Sequence, residues 1–195
     1  MTETIYAGMT TVSATEQPHL GGNVREGDAF TFCPRVWNYI IERFCVTSMM
    51  DLGSGIGNAA YFFFKKNIKT VAIEGLSENV SSAFYPTICH DLTERPIFTS
   101  VDFVHCQEVV EHIEERYLDN LLASLTCGRV ILMTHAIPGQ GGHHHVNEKP
   151  MEYWVQHISR RGYNLLIEDT NRVRNMAAQD GAIYVQKTGL LFHRK

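Results

Sequence analysis

The chain has 195 residues, a length that suits one domain with a full hydrophobic core. Hydrophobic residues make up 44% and charged residues 19%, the balance of an ordinary globular protein. The net charge is -4, which argues against a broad nucleic-acid interface, because such surfaces are normally basic.

The cysteines and the apolar runs indicate the cellular compartment in which we expect the protein. Five cysteines are scattered without a C-x-x-C pair, so we expect reduced thiols and a cytoplasmic protein. No apolar run is long enough for a transmembrane helix. The N-terminus lacks a basic segment followed by an apolar run, so we expect no signal peptide.

The N-terminal region is predicted to be irregular. Residues 1 to about 17 are rich in Thr, Ser and Glu without a clear period, and we expect a disordered or loosely docked tail. A polar, glycine-rich loop follows at residues 19–28. Residues 33–44 carry apolar side chains at helical spacing with Pro34 near the start, which predicts a helix packed on a sheet. Trp37 in this helix is predicted to belong to the core.

The central stretch of the chain is an apolar run followed by glycines. Residues 48–52 contain Asp51, three glycines stand at alternate positions 53, 55 and 57, and a helical pattern then continues to residue 66. Strand, tight turn and helix form the first βα turn of an open α/β sheet. The dinucleotide fingerprint G-x-G-x-x-G would place its third glycine at Asn58. The G-x-G-x-G form instead resembles motif I of the class I S-adenosylmethionine-dependent methyltransferases.

This resemblance implies a fold, a cofactor and several contacts. The fold would be α/β, with a doubly wound, mostly parallel seven-stranded Rossmann-like sheet, an antiparallel last strand and helices on both faces. The cofactor would be S-adenosylmethionine, with Asp51 facing the amino group of its methionyl part and the glycines making room for it. Gly21, Gly22 and Asn23 would be candidates for a lid, and a plain surface turn fits them equally well.

Two further strands carry candidate cofactor contacts. Residues 70–75 form a predicted strand containing Glu74, which lies roughly 20 residues beyond the first glycine, where a carboxylate accepts both ribose hydroxyls. A short helix at residues 77–84 and a third strand at 86–89 follow. The resemblance assigns Asp91 to the adenine amino group and gives Leu92 a backbone N–H contact. A turn-forming role for Asp91 is equally compatible with the sequence.

The fourth predicted strand, residues 101–106, leads into a second match. The segment Gln107-Glu108-Val109-Val110-Glu111-His112 resembles the one that borders both cofactor and acceptor in small-molecule methyltransferases. Glu111 and His112 are therefore candidate catalytic residues, although they also suit a role in capping the helix predicted at residues 114–125. The candidate cofactor residues are Asp51, Gly53, Ser54, Gly55, Gly57, Asn58, Glu74, Gly75, Asp91, Leu92, Gln107 and Glu108.

A fifth predicted strand, residues 129–134, precedes a loop dense in histidine and glycine that ends at residue 147. Open α/β sheets bind ligands at the carboxyl ends of their strands. Histidine titrates near neutral pH, so His135 and His144 are the leading candidates for a general base. Consecutive side chains diverge, so the run His143 to His145 predicts no metal site. A divalent ion held by His135 or His144 with a carboxylate stays open.

The C-terminal part is predicted to contain a helix at residues 150–161 and strands at 163–168 and 182–193, with a helix or loop at 171–178. The whole chain, residues 1–195, is expected to be one methyltransferase domain, with residues 1–30 as tail and lid.

The function expected from this combination is O-methylation of a hydroxylated small molecule such as a sugar or glycan unit, giving S-adenosylhomocysteine. The loop at residues 135–147 is polar, and the chain is too short for a separate substrate domain. Methylation of nucleic acid or protein, and a non-catalytic nucleotide-binding module, are the alternatives. Amino-directed DNA enzymes carry Asn-Pro-Pro-Tyr where this chain has Gln107-Glu108-Val109-Val110, which disfavours that subclass. The sequence does not define an oligomeric state.

Overall fold

The computed structural model describes residues 11–12, 17–21, 23–24 and 27–195. The strands, in chain order, are β1 (Thr11–Val12), β2 (Asn23–Val24), β3 (Ser48–Leu52), β4 (Lys69–Glu74), β5 (Thr87–Cys89), β6 (Val101–Cys106), β7 (Gly128–Met133), β8 (Tyr163–Leu165) and β9 (Leu190–Arg194). The α-helices are α1 (Pro34–Phe44), α2 (Asn58–Lys65), α3 (Ser77–Ser82), α4 (Leu118–Leu125), α5 (Met151–Arg160), α6 (Ile167–Asp180) and α7 (Ile183–Thr188). Short 3-10 helices lie at Pro18–Leu20, Ala29–Thr31, Val110–His112 and Glu115–Tyr117.

Seven of the strands form one sheet in the order β5-β4-β3-β6-β7-β9-β8. The pairs from β5 to β7 are parallel, and β9 runs antiparallel to both of its neighbours. The chain winds outward from β3 to β5 and then returns to build the other half from β6. The order therefore reverses between β3 and β6, the place where open α/β sheets bind ligands. The predicted doubly wound sheet with an antiparallel last strand is confirmed.

Helices cover both faces of the sheet because successive strand residues point to opposite sides. Met49 faces a core layer that includes Trp37 and Phe63, from α1 and α2. Met50, the next residue, faces a second layer that includes Leu121 and Trp154 from α4 and α5. Trp37 is buried, as predicted for a core residue.

The C-terminal region differs from the prediction. Residues 182–193 were expected to be one strand, but α7 occupies Ile183–Thr188 and only Leu190–Arg194 is extended. Short apolar runs do not distinguish a buried helix from a strand by period alone. The buried residues of α7, Tyr184, Val185 and Thr188, share one helical face. The other expected strand ends at Leu165, and α6 takes up the region that had been left as helix or loop.

The amino ends of β3 and β6 are joined by a carboxylate. Asp102 accepts hydrogen bonds from the amide and hydroxyl of Thr47, both 2.8 Å, and from the amide of Ser48. Burial raises the pKa of Asp102, but these bonds and the nearby Arg129 outweigh it and lower the pKa to about 2. This contact lies at the end of the sheet opposite the strand termini that bind ligands.

The expected N-terminal tail falls mostly outside the described residues, as does Gly22. Within it, Thr11–Val12 pairs antiparallel with Asn23–Val24. A helix with the length and hydrophobicity to cross a membrane does not occur in the described part of the chain.

Candidate active site

A cavity of about 620 Å³ opens at the carboxyl ends of β3, β4 and β6. Of the candidate cofactor residues, those that line it are Asp51, Gly53, Ser54, Gly55, Asn58, Glu74, Gly75, Asp91, Leu92, Gln107 and Glu108. Gly57 does not line the cavity; it takes a left-handed conformation, with φ of 86°, at the start of α2. The structure thus gathers nearly all of these residues around one space, and their binding of a cofactor stays a prediction.

The glycine turn closes tightly onto β4. The amides of Gly53 and Ser54 both donate to the carbonyl of Ile73, each at 2.9 Å. A Cβ on Gly53 would lie 2.2 Å from a methyl group of Val109, so only glycine fits there. Gly55 has φ of 56°, and no described heavy atom lies within 4 Å of its Cβ position. The turn therefore presents bare backbone to the cavity at Gly55.

Glu74 holds this turn from the end of β4. One carboxylate oxygen accepts from the amide of Gly55 and the other from the amide of Leu76, both at 2.8 Å. Burial raises the pKa of Glu74, although these bonds and one from Asn79 oppose the shift. With Asn79 as a third donor, the carboxylate keeps about one lone pair for a ligand hydroxyl. Asn79 was missed by the sequence reasoning, because nothing in a short helix marks it as a partner of Glu74.

Asp51 is held by groups that the sequence reasoning did not assign to it. Its Oδ2 accepts from the amide of Ala60 at 3.0 Å, and its Oδ1 lies 2.7 Å from Nδ1 of His105. Trp37 donates from Nε1 to Nε2 of His105 at 3.4 Å, so Nδ1 carries the imidazole proton and donates to Asp51. His105, Trp37 and Asp51 all line the cavity. They line one side of it together. The contact between Asp51 and a methionyl amino group stays a prediction.

Part of the segment before α1 lines the cavity, and its role as a lid stays a prediction. His19, Leu20 and Gly21 line it, and Nε2 of His19 lies 2.8 Å from Oδ2 of Asp91. Asp91 Oδ1 also accepts from the amide of Thr93 at 2.7 Å, which is the turn-forming role weighed for it. Gly22 and the side chain of Asn23 are outside the described residues, so their lid role stays a prediction.

The loop after β7 presents different histidines from those expected. His135 is buried and does not line the cavity; its Nδ1 lies 3.3 Å from the carbonyl of Ala136. His144 also stays away from the cavity, whereas His143 and His145 on either side of it line the wall. Burial lowers the pKa of both His135 and His144. His135 and His144 are therefore not among the residues that line this cavity, and their role as general base stays a prediction.

A cluster of titratable groups lies at the part of the cavity lined by His112 and His145. Ligand atoms of Glu111, His112 and His145 lie within 4.8 Å of one another, so these three residues could hold a metal ion. Burial raises the pKa of Glu111 to about 7 and lowers the pKa of His112 to about 4, with His145 adding to the second shift. Burial and the neighbouring Glu111 also raise the pKa of Glu108. The sequence predicted no metal site at residues 143–145 and left open an ion held by His135 or His144, whereas this cluster contains neither of them.

Backbone hydrogen bonds bring this cluster together. The carbonyl of Glu111 accepts from the amides of Val146 and Asn147, at 3.0 and 3.1 Å. Glu148 accepts from the amides of Gly139 and Gly141, at 2.7 and 2.6 Å. Backbone hydrogen bonds therefore connect the loop after β7 to the 3-10 helix that carries Glu111 and His112. The Glu148 carboxylate holds the glycine-rich part of the same loop in place.

No family model matches the sequence, and no curated protein is recognisably similar to it. Solved structures do match. The methyltransferase domain of bacterial CtHen1-C superposes with a TM-score of 0.58 at 16% identity, covering 85% of this chain and 97% of that one. A putative sarcosine dimethylglycine methyltransferase from Galdieria sulphuraria gives 0.56 at 13% identity, covering 94% and 92%. Magnesium protoporphyrin IX methyltransferase from Synechocystis PCC 6803, solved with bound S-adenosylmethionine, gives 0.52 at 12% identity, covering 68% and 69%.

The chain has the Rossmann-like fold of the class I methyltransferases. At these identities the methyltransferase fold is shared, and the reaction and substrate are not carried over with it. In this chain the methyltransferase fold keeps buried polar atoms at the cavity without a hydrogen-bond partner among the described residues: Ser54 Oγ, Asn79 Oδ1 and both amide atoms of Gln107. Buried polar groups normally have partners, so these atoms point to a ligand.

Proposed function

We propose that the protein is an S-adenosylmethionine-dependent methyltransferase acting on an oxygen of a hydroxylated small molecule, with a sugar or glycan unit as the leading candidate. The observation that carries this proposal is the cavity itself. A glycine turn with bare backbone, a strand-end glutamate and unpartnered polar atoms meet at the point where the strand order reverses. A methyltransferase fold with that arrangement suits a ligand that combines a nucleoside with an amino-acid tail.

At the cofactor end, the chain's task is to bind and orient. Glu74 would accept a ribose hydroxyl through its remaining lone pair, while still holding the amide of Gly55. Gln107 and Ser54 would provide hydrogen bonds from atoms that have no partner among the described residues. The cofactor supplies an activated methyl group on a sulfonium centre, so the chain needs no nucleophile of its own.

At the acceptor end, the chain must hold a hydroxyl in line with the methyl group and receive its proton. The acceptor O–H bond breaks, an O–C bond forms, and the C–S bond breaks with its electron pair staying on sulfur. We assign the proton to His143, an exposed imidazole on the cavity wall that can pass it to solvent. This moves the base one position from His144 and away from His135, because neither of those lines the cavity.

The remaining expectations are part of the same proposal. Residues 1–195 act as one methyltransferase domain in a cytoplasmic compartment, where the free cysteines stay reduced. A net charge of -4 does not suit a long polyanion, so nucleic acid is not the proposed acceptor. The polar, histidine-rich loop suits hydroxyl recognition better than an aromatic or acyl substrate.

The proposal is tested with labelled S-adenosylmethionine. Calorimetry should show binding of the cofactor and of S-adenosylhomocysteine, and incubation with fractionated cell extract should yield a labelled product whose methyl group is on oxygen. A protein that binds neither compound would refute the methyltransferase assignment. A labelled methyl on nitrogen or carbon would refute O-methylation while leaving the cofactor assignment intact.

A further inference from the structure

We propose that Glu111, His112 and His145 bind a divalent transition-metal ion at the end of the cavity lined by His112, His143 and His145, where the proposed function places the acceptor. The cation binding stands on the geometry of these three side chains. The role of the ion, holding the acceptor oxygen, rests on the proposed function.

The spacing of the three groups fits one ion. Ligand atoms lie about 2.0–2.2 Å from a first-row metal, so two ligands of the same ion are at most about 4.4 Å apart. The ligand atoms of Glu111, His112 and His145 all lie within 4.8 Å of one another. Side-chain rotations that bring these atoms closer together would close the site around an ion.

The second observation is that the groups of this cluster lack partners. Glu111 is fully buried, and neither of its carboxylate oxygens accepts a well-formed hydrogen bond from a described donor. Polar groups near it are the Glu108 carboxyl and the amides of Val109 and Glu111, which oppose the effect of burial on its pKa. Nδ1 of His112 and Nδ1 of His145 are also buried without a hydrogen bond from the described residues, and Nδ1 of His145 lies 3.7 Å from Oε1 of Glu148. Buried polar groups are costly when unpaired, and a buried carboxylate most of all. A cation between them provides the missing partner for all three side chains.

The fold prepares the cluster. The amides of Val146 and Asn147 bind the carbonyl of Glu111, which fixes the loop ligand against the other two. Gly142 leaves room for the imidazole of His145, because a Cβ at Gly142 would lie 2.5–2.7 Å from its ring atoms. These contacts place His145 with a side chain only 5% exposed. A surface loop of three consecutive histidines would otherwise turn its side chains toward water.

The ligand set indicates the class of ion. Two imidazoles and one carboxylate favour Mn²⁺, Fe²⁺ or Zn²⁺ over Ca²⁺, which prefers oxygen ligands alone. His112 and His145 line the cavity, so the open coordination positions face the space where the acceptor must lie. A cation there polarises a bound hydroxyl and favours the loss of its proton. Acceptors with two neighbouring oxygens would be held best, because both can occupy open positions.

The test is titration of the EDTA-treated full chain with MnCl₂, followed by calorimetry and by electron paramagnetic resonance of free Mn²⁺. We expect one ion per chain, with pulsed spectra showing nitrogen couplings from imidazole. His145→Ala and Glu111→Gln should each weaken binding by at least about 10–100-fold. His144→Ala is the matched control, since that neighbouring histidine stays away from the cavity and should leave Mn²⁺ affinity unchanged. Circular dichroism checks that each variant folds. If His145→Ala does not fold, Glu111→Gln still tests the site, because it keeps the volume of the side chain.

Two outcomes would overturn the site. Wild-type protein that binds no Mn²⁺, Fe²⁺ or Zn²⁺ would mean that Glu108 and Glu111 share a proton instead. Mn²⁺ binding that His145→Ala and Glu111→Gln leave intact would place the ion elsewhere. Binding of S-adenosylmethionine in EDTA is measured in parallel. A protein that binds Mn²⁺ but not S-adenosylmethionine would refute the proposed function and leave the metal site standing. A protein that binds S-adenosylmethionine but not Mn²⁺ would refute the metal site and leave the proposed function standing.

Discussion

Nδ1 of His105 lies 2.7 Å from Oδ1 of Asp51, and the two residues face each other as register partners in neighbouring strands. Both side chains are buried at the floor of the cavity, at 4% and 2% exposure. The second carboxylate oxygen of Asp51 holds the amide of Ala60 in the first turn of α2. The pair therefore couples the sheet to the helix that follows the glycine turn.

His105→Ala should lower the free energy of unfolding and weaken cofactor binding. The substitution leaves a buried carboxylate oxygen of Asp51 without its donor, which costs about 1–3 kcal/mol. Urea unfolding followed by tryptophan fluorescence measures the change. Gln156→Ala, at an exposed position of α5, should stay within about 0.5 kcal/mol of wild type. A His105→Ala protein as stable as this control would show that the contact contributes nothing.

Glu74→Ala should weaken S-adenosylmethionine binding by about 1–3 kcal/mol, because it removes the acceptor for a ribose hydroxyl and the support of the Gly55 amide. Calorimetry gives the affinity. The matched control is Glu42→Ala, which removes an exposed carboxylate from α1 and should not change affinity. Unchanged binding in a folded Glu74→Ala protein would contradict the assignment of the cofactor end.

Gly142→Ala should displace His145 and reduce both Mn²⁺ binding and methyl transfer. The added methyl group would meet the imidazole at 2.5–2.7 Å, and the backbone φ of 148° also disfavours a side chain. Gly139→Ala separates the two effects, since its φ is 80° but its Cβ position has no described neighbour within 4 Å. If both variants lose Mn²⁺ affinity equally, backbone strain and not the contact with His145 is responsible.

His143→Ala should lower kcat by roughly 10²–10⁴-fold and leave cofactor affinity nearly intact, as expected for the loss of a general base. His144→Ala serves as the control, because it removes an imidazole from the same loop without altering the cavity wall. Steady-state kinetics with labelled cofactor decides between them. Full turnover in His143→Ala would show that a group other than His143 accepts the proton.

Asp102 should make the protein sensitive to acid. Its pKa is about 2 in the folded chain against 3.8 as the ordinary value, so its stabilising contribution is present above about pH 4. That contribution is lost as the pH falls toward 2, where the folded protein must also take up the proton. Asp102→Asn should therefore be less stable at pH 7 and lose less stability between pH 4 and 2. Urea unfolding at several pH values tests this, with cofactor affinity at pH 7 expected to be unchanged.

The sequence predicted the parts of the molecule whose signals are local. The strand at residues 101–106 was placed with its observed ends, and the glycine turn stands where its spacing indicated. Strand, turn and helix start follow one another along the chain there, so neighbouring residues carry the whole signal. The same reading was wrong for α7, where a short apolar run between Gly181 and Gly189 fits both a helix and a strand.

The candidate site shows the other limit. The cluster of Glu111, His112 and His145 joins segments more than 30 residues apart, through backbone bonds that no sequence pattern displays. Which of three consecutive histidines turns inward depends on local dihedral angles, φ of 49° at His144 and 148° at Gly142. Those angles follow from the folded loop, so the sequence could indicate the loop but not the histidine that faces the cavity.

Two walls of the cavity, the loop after β7 and the segment that carries His19, are held by different kinds of contact. This difference bears on how a ligand would enter and leave. The wall formed by the loop after β7 is held by amide bonds to the Glu111 carbonyl and by the bonds that Glu148 accepts from Gly139 and Gly141. The opposite wall meets Asp91 through the side chain of His19, a contact that a single rotamer change can open. If the protein binds S-adenosylmethionine as proposed, we expect the cofactor to exchange past His19, because, among the described residues, fewer backbone hydrogen bonds hold that wall than hold the loop after β7. S-adenosylhomocysteine would then leave through the same opening by which S-adenosylmethionine enters.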